Sequence, residues 1–250
     1  MKAIVLAAGR GSRMGKSSNN LPKSFMKINR SERLIECILK KFLKKKIKVT
    51  IVTGYKSFLF KYLKNDYVEI KKNSRWKSTN ISASLYHADE TLCKEDCIIS
   101  YADIYYHDSA INLLMNNTNK NCITILSYSN WKKLWIKRFK NPLSDLESFK
   151  LGKNKRLVEI GNKPKSIKDI NGQYMGLFKI TPTAWKKIKK FLKNNKIDLL
   201  KLDITTLFNI VITNDICPVF VKNYSDAWFE VDSYKDFKYR YQKTPYLHKN

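Results

Sequence analysis

Long apolar runs are absent from this chain. None approaches the roughly 18–20 residues that a membrane helix needs, so no transmembrane segment or membrane insertion is expected. The apolar stretch after Lys2 covers only residues 3–8 and leads into glycine, so no secretory leader is expected either. Histidine is scarce, with three in 250 residues, and no Ser-His-Asp or Cys-His set is visible. His87 and His107 read as structural or solvent-facing. The five cysteines (Cys37, Cys93, Cys97, Cys122 and Cys217) are odd in number and scattered. Cys93 and Cys97 have no histidine pair beside them, which argues against a zinc site. Free thiols point to a reducing, cytoplasmic setting.

Acidic residues are also few: 21 Asp and Glu stand against 49 Lys and Arg, a formal charge of +28. Such an excess raises the question of a nucleic-acid or anionic-membrane partner. The basic runs at 40–48, 132–140 and 186–193 are spread along the chain, lysine far outnumbers arginine, and no RNA-binding motif accompanies them. A compositional bias toward Lys, Asn and Ile explains this better, so no nucleic-acid partner is expected.

The composition, 43% hydrophobic and 12% aromatic, supports a sizeable core. Strands are expected at 2–6, 48–53, 96–100 and 122–128, and helices at 33–46, 57–63, 80–90 and 111–115. Residues 34, 35, 38, 39, 42 and 43 form the apolar stripe of the first helix. This alternation predicts an α/β fold with a doubly wound, mostly parallel sheet. After residue 129 the pattern changes to a basic, aromatic stretch (131–146), then a hairpin at 149–160 turning at Gly152-Lys153-Asn154. A strand at 173–180, helices at 183–194 and 203–212, a strand at 216–221 interrupted by Pro218, a short strand at 228–231 and a terminal helix at 233–241 follow. With no repeat or flexible linker, residues 1–250 read as one domain with a small β-rich insertion.

The most informative segment is Ile4-Val5-Leu6-Ala7-Ala8-Gly9-Arg10-Gly11-Ser12-Arg13-Met14-Gly15-Lys16, closed by Pro22-Lys23. A short apolar strand runs into glycines whose backbone N–H groups can approach an anion, and cations lie within and after the loop. A Walker A glycine would have to stand at position 10, where the residue is Arg10. Gly11 and Gly15 are separated by three residues, one more than the dinucleotide fingerprint allows.

What remains resembles the signature loop of the nucleotidyltransferases that make NDP-sugars and CDP-alcohols. Asn73-Ser74-Arg75-Trp76, then Thr79-Asn80-Ile81-Ser82-Ala83-Ser84-Leu85, looks like a block of the phosphocholine and phosphoglutamine cytidylyltransferase branch, with Trp76 at a usual Tyr position. The stretches 173–179, 203–207 and 228–232 also look like this branch. The resemblance implies a Rossmann-like, GT-A-like nucleotidyltransferase fold, its nucleotide part at about 1–129 and its acceptor side at about 130–250. It implies nucleotide binding by Leu6, Ala7, Ala8, Gly9, Gly11, Ser12, Arg13, Asn80, Ser84 and Ala102, with Arg13 and Lys23 as catalytic cations. Asp103, after a strand end, and Asp232, closing Glu230-Val231-Asp232, resemble the two metal aspartates for Mg²⁺ or Mn²⁺. On local grounds alone Asp103 also fits a turn and Asp232 a helix N-cap. Acceptor-side residues would be Lys23, Tyr174, Lys179 and Glu230; Trp131 and Trp135 could form part of an aromatic cage, although their spacing fits ordinary packing better, and the basic region Lys132 to Lys140 favours an anionic acceptor.

The implied activity is transfer of CMP from CTP to a small phosphorylated acceptor of phosphoglutamine, phosphocholine or phosphonate type, in surface-glycan synthesis. A sugar-1-phosphate nucleotidyltransferase is the alternative within the class. A GT-A glycosyltransferase is disfavoured because Tyr101-Ala102-Asp103 lacks the Asp-x-Asp pair.

Overall fold

The computed structural model describes residues 1–11 and 21–231; the helix expected at 233–241 lies outside them. In chain order the elements are β1 (Lys2–Ala7), α1 (Leu34–Leu43), β2 (Val49–Thr53), β3 (Val68–Lys72), α2 (Ile81–Tyr86), α3 (Asp89–Lys94), β4 (Cys97–Tyr101), β5 (Ile104–Tyr106) and α4 (Asp108–Met115). They continue with β6 (Ile123–Tyr128), α5 (Trp131–Arg138), β7 (Phe149–Leu151), β8 (Leu157–Ile160), β9 (Tyr174–Ile180), α6 (Pro182–Asn194), α7 (Ile204–Thr213), β10 (Val219–Tyr224) and β11 (Trp228–Glu230).

Seven strands form the central sheet in the order β10-β6-β9-β4-β1-β2-β3. All its neighbours pair in parallel except β9, which runs against β4 and β6. The sheet is therefore mostly parallel, as the alternating elements predict. Residues 3–7 of β1 and all of β2 are buried, as expected of parallel strands covered on both faces. From β1 the chain moves outward to β2 and β3 on one side and returns to β4 on the other. The strand order reverses between β1 and β4, and ligands of open α/β sheets gather outside the carboxyl ends of strands at such a point.

The helices follow their apolar stripes. Helix α1 buries Leu34, Ile35, Ile38, Leu39 and Phe42, and the Glu36 carboxylate accepts the Arg33 N–H at 2.8 Å at its start. Helix α6 begins at Pro182, where the missing N–H is harmless, and the Thr181 hydroxyl accepts from the Ala184 N–H.

Some boundaries differ from expectation. The helix expected over 80–90 is two helices, broken at Ala88, which is fully buried with φ −102° and ψ 18°. The break lets Asp89 start α3 and accept hydrogen bonds from Trp185 Nε1 and Lys189 Nζ on α6, both at 2.6 Å. Strand β10 starts at Val219, immediately past Pro218, rather than at residue 216. The short strand expected at 228–231 is β11, whereas strand β3, strand β5 and the antiparallel pairing of β5 with β11 are not expected from the sequence. Among the described residues no helix is long and apolar enough to cross a membrane. All five cysteines are free thiols.

The Asp89 contacts have a pH signature. Burial pushes its carboxyl upward, but hydrogen bonds from Lys189 and Trp185 outweigh it and hold the group below its ordinary value of 3.8. Its stabilisation is therefore present above that value and lost as pH falls through the lower folded value. Exchanging charge-assisted for neutral hydrogen bonds costs about 1 kcal/mol, so Asp89→Asn is expected to melt about 2–4 °C lower at pH 7. The difference should vanish in strong acid. Melting curves at pH 7 and below pH 3 check this; an equal deficit at both would show that the charge contributes nothing.

Candidate active site

A cleft of about 530 Å³ opens at the carboxyl ends of β1 and β4, where the strand order reverses. Its lining includes Leu6, Ala7, Gly9 and Gly11 from the first strand and loop, Asn80 and Ile81 from the start of α2, and Tyr101, Ala102 and Asp103 after β4; Lys23, Ser24 and Glu230 complete it. The registers show how this comes about. Leu6 stands opposite Tyr101 in the β1–β4 pair, and the Ala102 N–H donates to the Leu6 carbonyl at 3.2 Å, so the Gly-rich loop and Asp103 leave the sheet side by side.

Lys23 is delivered by a single helical turn, Lys23–Phe25, that follows Pro22. The turn is anchored by Phe25, whose ring meets Phe60 edge-on at 4.8 Å and lies under the Arg33 guanidinium at 5.5 Å. From there Lys23 Nζ reaches Asp103 Oδ2 at 3.5 Å, with side chains 10% and 26% exposed. Gly11, at φ +70°, lies against the lysine stem: a Cβ there would sit 2.5 Å from Lys23 Cγ. Glycine is required at this position both for the backbone angle and for the close approach.

The carboxylates come from distant parts of the chain. β11 pairs antiparallel with β5, placing Glu230 opposite Ile104, and the Val231 N–H donates to the Asp103 carbonyl at 2.8 Å. The residue preceding Asp232 is thus clamped to Asp103. Ser12, Arg13 and Asp232 themselves lie outside the described residues.

Other expected site residues sit elsewhere. Ala8 is buried behind the cleft, and its carbonyl accepts from the Tyr55 N–H at 2.9 Å. Ser84 is buried and accepts from Asn73 Nδ2 at 3.4 Å, while the same nitrogen donates to Thr79 Oγ1 at 3.1 Å. The Asn73 to Ser84 block is therefore held together internally, and of that block the cleft lining includes Asn80 and Ile81 but not Ser84. Tyr174 packs edge-on against Tyr101 at 5.9 Å and Phe208 at 5.6 Å, one layer behind the cleft. Lys179 is a correction. Because β9 runs antiparallel, Lys179 stands opposite Ile98 near the start of β4, away from the cleft edge. There it pairs with Asp96 at 2.8 Å and donates to the Asn117 carbonyl. Trp131 and Trp135 do not line the cleft but pack in the core, the reading their spacing favours over an aromatic cage. Trp135 stacks on Trp228 at 6.1 Å. The lysines of α5 do not line the cleft either.

Tyr101 and Ser24 line the cleft without having been singled out from the sequence. Burial pushes the Tyr101 phenol well above its ordinary value of 10.0, reinforced by Asp103 and then by Glu230, Asp203 and Glu147. Burial, followed by Asp203, also raises Glu147. The available signal for Tyr101 was its place at the end of β4, directly before Ala102-Asp103. Glu147 carried no signal, because it lies in irregular chain.

Residues 3–156 match the MobA-like NTP transferase domain. The chain belongs to this nucleotidyltransferase family. Over 97% of its length it is 30% identical to the whole of the CTP:phosphoglutamine cytidylyltransferase of Campylobacter jejuni. Over 51% of its length it is 36% identical to 52% of the choline-phosphate cytidylyltransferase of Streptococcus pneumoniae. The fold is shared with a putative glucose-1-phosphate thymidylyltransferase from Bacillus anthracis, at a TM-score of 0.76 and 16% identity, covering 100% of this chain and 96% of that one. It is also shared with the CTP:phosphocholine cytidylyltransferase of S. pneumoniae, at a TM-score of 0.69 and 21% identity, covering 96% and 97%. The NTP transferase is thus an enzyme whose likeness to the cytidylyltransferase branch extends along the chain.

Gly9 offers a local test of this NTP transferase cleft. A Cβ built on it meets nothing within 4 Å among the described residues, so they leave room for a methyl at the cleft. A methyl intruding on a bound group costs about 1–3 kcal/mol, or on the order of 10–100-fold in affinity. Gly9→Ala is expected to melt like the wild type and to raise the nucleotide KM by that factor. An unchanged KM would place the nucleotide elsewhere.

Proposed function

We propose that this protein is a metal-dependent cytidylyltransferase that transfers CMP from CTP to a small phosphorylated acceptor. The reading is carried by the convergence of the Gly-rich loop, Lys23 and Asp103 on one cleft at the strand-order reversal. The choice of CTP and of a phosphorylated acceptor is supported by the relatives, whose names specify CTP with phosphoglutamine, and choline phosphate.

In this reaction an acceptor phosphate oxygen attacks the α-phosphorus of CTP in line. The bond to the β-phosphate breaks, and pyrophosphate leaves. The Gly9 to Gly11 backbone cradles the triphosphate, and Arg13 holds its β- and γ-phosphates. The Lys23 ammonium stands between acceptor and α-phosphate, offsetting the repulsion of two anions. The loop and α2 orient the nucleotide, so much of the catalysis is positioning.

The donors fit a hard divalent cation. Asp103 and Glu230 line the same cleft, and Asp103 already draws a cation, Lys23 Nζ, to 3.5 Å. Among the described residues no cluster of three or more His, Cys, Asp or Glu side chains forms a complete cage. Mg²⁺ or Mn²⁺ takes one or two carboxylates and fills its shell with phosphate oxygens and water. Asp103 and Asp232 would hold it, and when bound it supplies charge neutralisation on the triphosphate.

For the acceptor, the Glu230 carboxylate in the cleft lining favours a far end that carries positive charge. An ammonium-bearing phosphate meets this requirement better than an uncharged sugar ring does.

Pyrophosphate release with each of the four NTPs, against phosphoglutamine, phosphocholine, an aminophosphonate and a sugar 1-phosphate, tests the reading. Cytosine presents an amino donor where uracil presents an acceptor, and an unpaired buried polar group costs about 1–3 kcal/mol. CTP is therefore expected to outperform UTP by about tenfold or more. Equal or better turnover with another nucleotide would overturn the base assignment, and turnover only with the sugar phosphate would overturn the acceptor class.

A further inference from the structure

We infer that the Lys23 ammonium holds the place of a divalent cation at Asp103, so that the enzyme without nucleotide excludes free metal ions and admits the metal only together with the triphosphate. This rests on the metal-dependent reading above.

Three observations carry it. The first is the pair itself. Lys23 Nζ lies 3.5 Å from Asp103 Oδ2, and the two side chains are 10% and 26% exposed. A metal ligated by that carboxylate at about 2.0–2.1 Å, with its shell of oxygens, claims the volume around the same oxygen. Two cations a few ångströms apart in a partly desolvated cleft repel strongly.

The second is the hold on the lysine. A Cβ at Gly11 would come within 2.5 Å of Lys23 Cγ and 3.1 Å of Cδ and Cε, so Gly11 lies close against the aliphatic stem. The loop offered to the triphosphate is the same loop that keeps the ammonium aimed at Asp103.

The third is the anchoring of the turn. Phe25, 5% exposed, is fixed by Phe60 and by the Arg33 guanidinium. The Lys23 backbone is therefore held, and exchange of partners falls to the side chain alone.

A triphosphate in the loop changes both sides of this balance. It gives Lys23 a stronger anion to pair with and gives the metal the oxygen ligands that Asp103 alone does not supply. Nucleotide and metal binding are thereby coupled through one side chain, and by linkage each strengthens the other by the same factor.

Mn²⁺ binding to the full-length protein without nucleotide, read by electron paramagnetic resonance of the free ion, tests this. Lys23→Met keeps the stem packed against Gly11 and removes the charge. It is expected to bind Mn²⁺ about tenfold tighter than the wild type, within the usual range of coupling between sites. Adding Asp103→Asn to it should remove the gain. If Lys23→Met does not fold, by melting curve, Lys23→Gln answers the same question. Equal or weaker Mn²⁺ binding by the folded neutral variant overturns the inference. If wild-type turnover still requires added metal in that event, the metal-dependent reading stands and only the place-holding role falls. Wild-type turnover that survives excess chelator overturns both.

Discussion

Lys23→Ala is expected to retain its fold and lose about 10²–10³-fold in turnover, the cost typical of removing one preorganised charge from a site where charge develops. The lysine is placed for that role by geometry as well as by sequence. It closes the Gly-rich loop, lines the cleft, and is held by Gly11 and by the buried Phe25 turn. Its stability contribution is modest because Asp103, 26% exposed, can take water in its stead. The melting temperature should therefore stay near the wild-type value while kcat falls more than KM rises. Steady-state kinetics with CTP and the best acceptor, beside a melting curve, make the measurement. A folded variant with near wild-type kcat would reduce Lys23 to a loop lysine neutralising Asp103.

The second large effect is expected at Asp103. Asp103→Asn preserves the shape of the side chain and the backbone clamp, in which the Asp103 carbonyl accepts from the Val231 N–H at 2.8 Å. It removes the negative charge at the mouth of β4. If that charge holds a metal on the triphosphate, several kcal/mol of transition-state stabilisation are lost, a fall in turnover on the order of 10³ or more. Removing the charge also ends the Lys23–Asp103 ion pair, so loss of activity cannot be ascribed to a lysine held at the carboxylate. Turnover and Mn²⁺ binding in the presence of CTP should fall together. Full Mn²⁺ binding with lost activity would assign the metal to other residues, and retained activity would leave Asp103 as a turn carboxylate.

Legibility from sequence differed from element to element, for physical reasons. β1, β2, β4 and β6 are short apolar runs, and α1 and α6 are amphipathic stripes; burial on two faces or on one writes itself into such local patterns. β3 was missed because it is an edge strand, paired with β2 alone and carrying Glu69, Lys71 and Lys72. Charged residues on an edge are ordinary, but they erase the strand signal. The break at Ala88 was missed because Asp89 faces α6, and its partners Trp185 and Lys189 are distant in sequence.

By itself the sequence determined the local chemistry of the site: a permissive glycine loop after a buried strand, a lysine placed after a proline, and an aspartate just past a strand end. These depend on residue type, spacing and the nearest element boundary. Tertiary structure alone decided which groups meet. The reversal of β9 carries Lys179 to the far edge, the β5–β11 pair brings Glu230 and Val231 to Asp103, and Tyr174 is turned behind Tyr101. Strand direction and long-range pairing are set by how the whole sheet buries its faces and satisfies its backbone hydrogen bonds, and no local window of sequence contains that information.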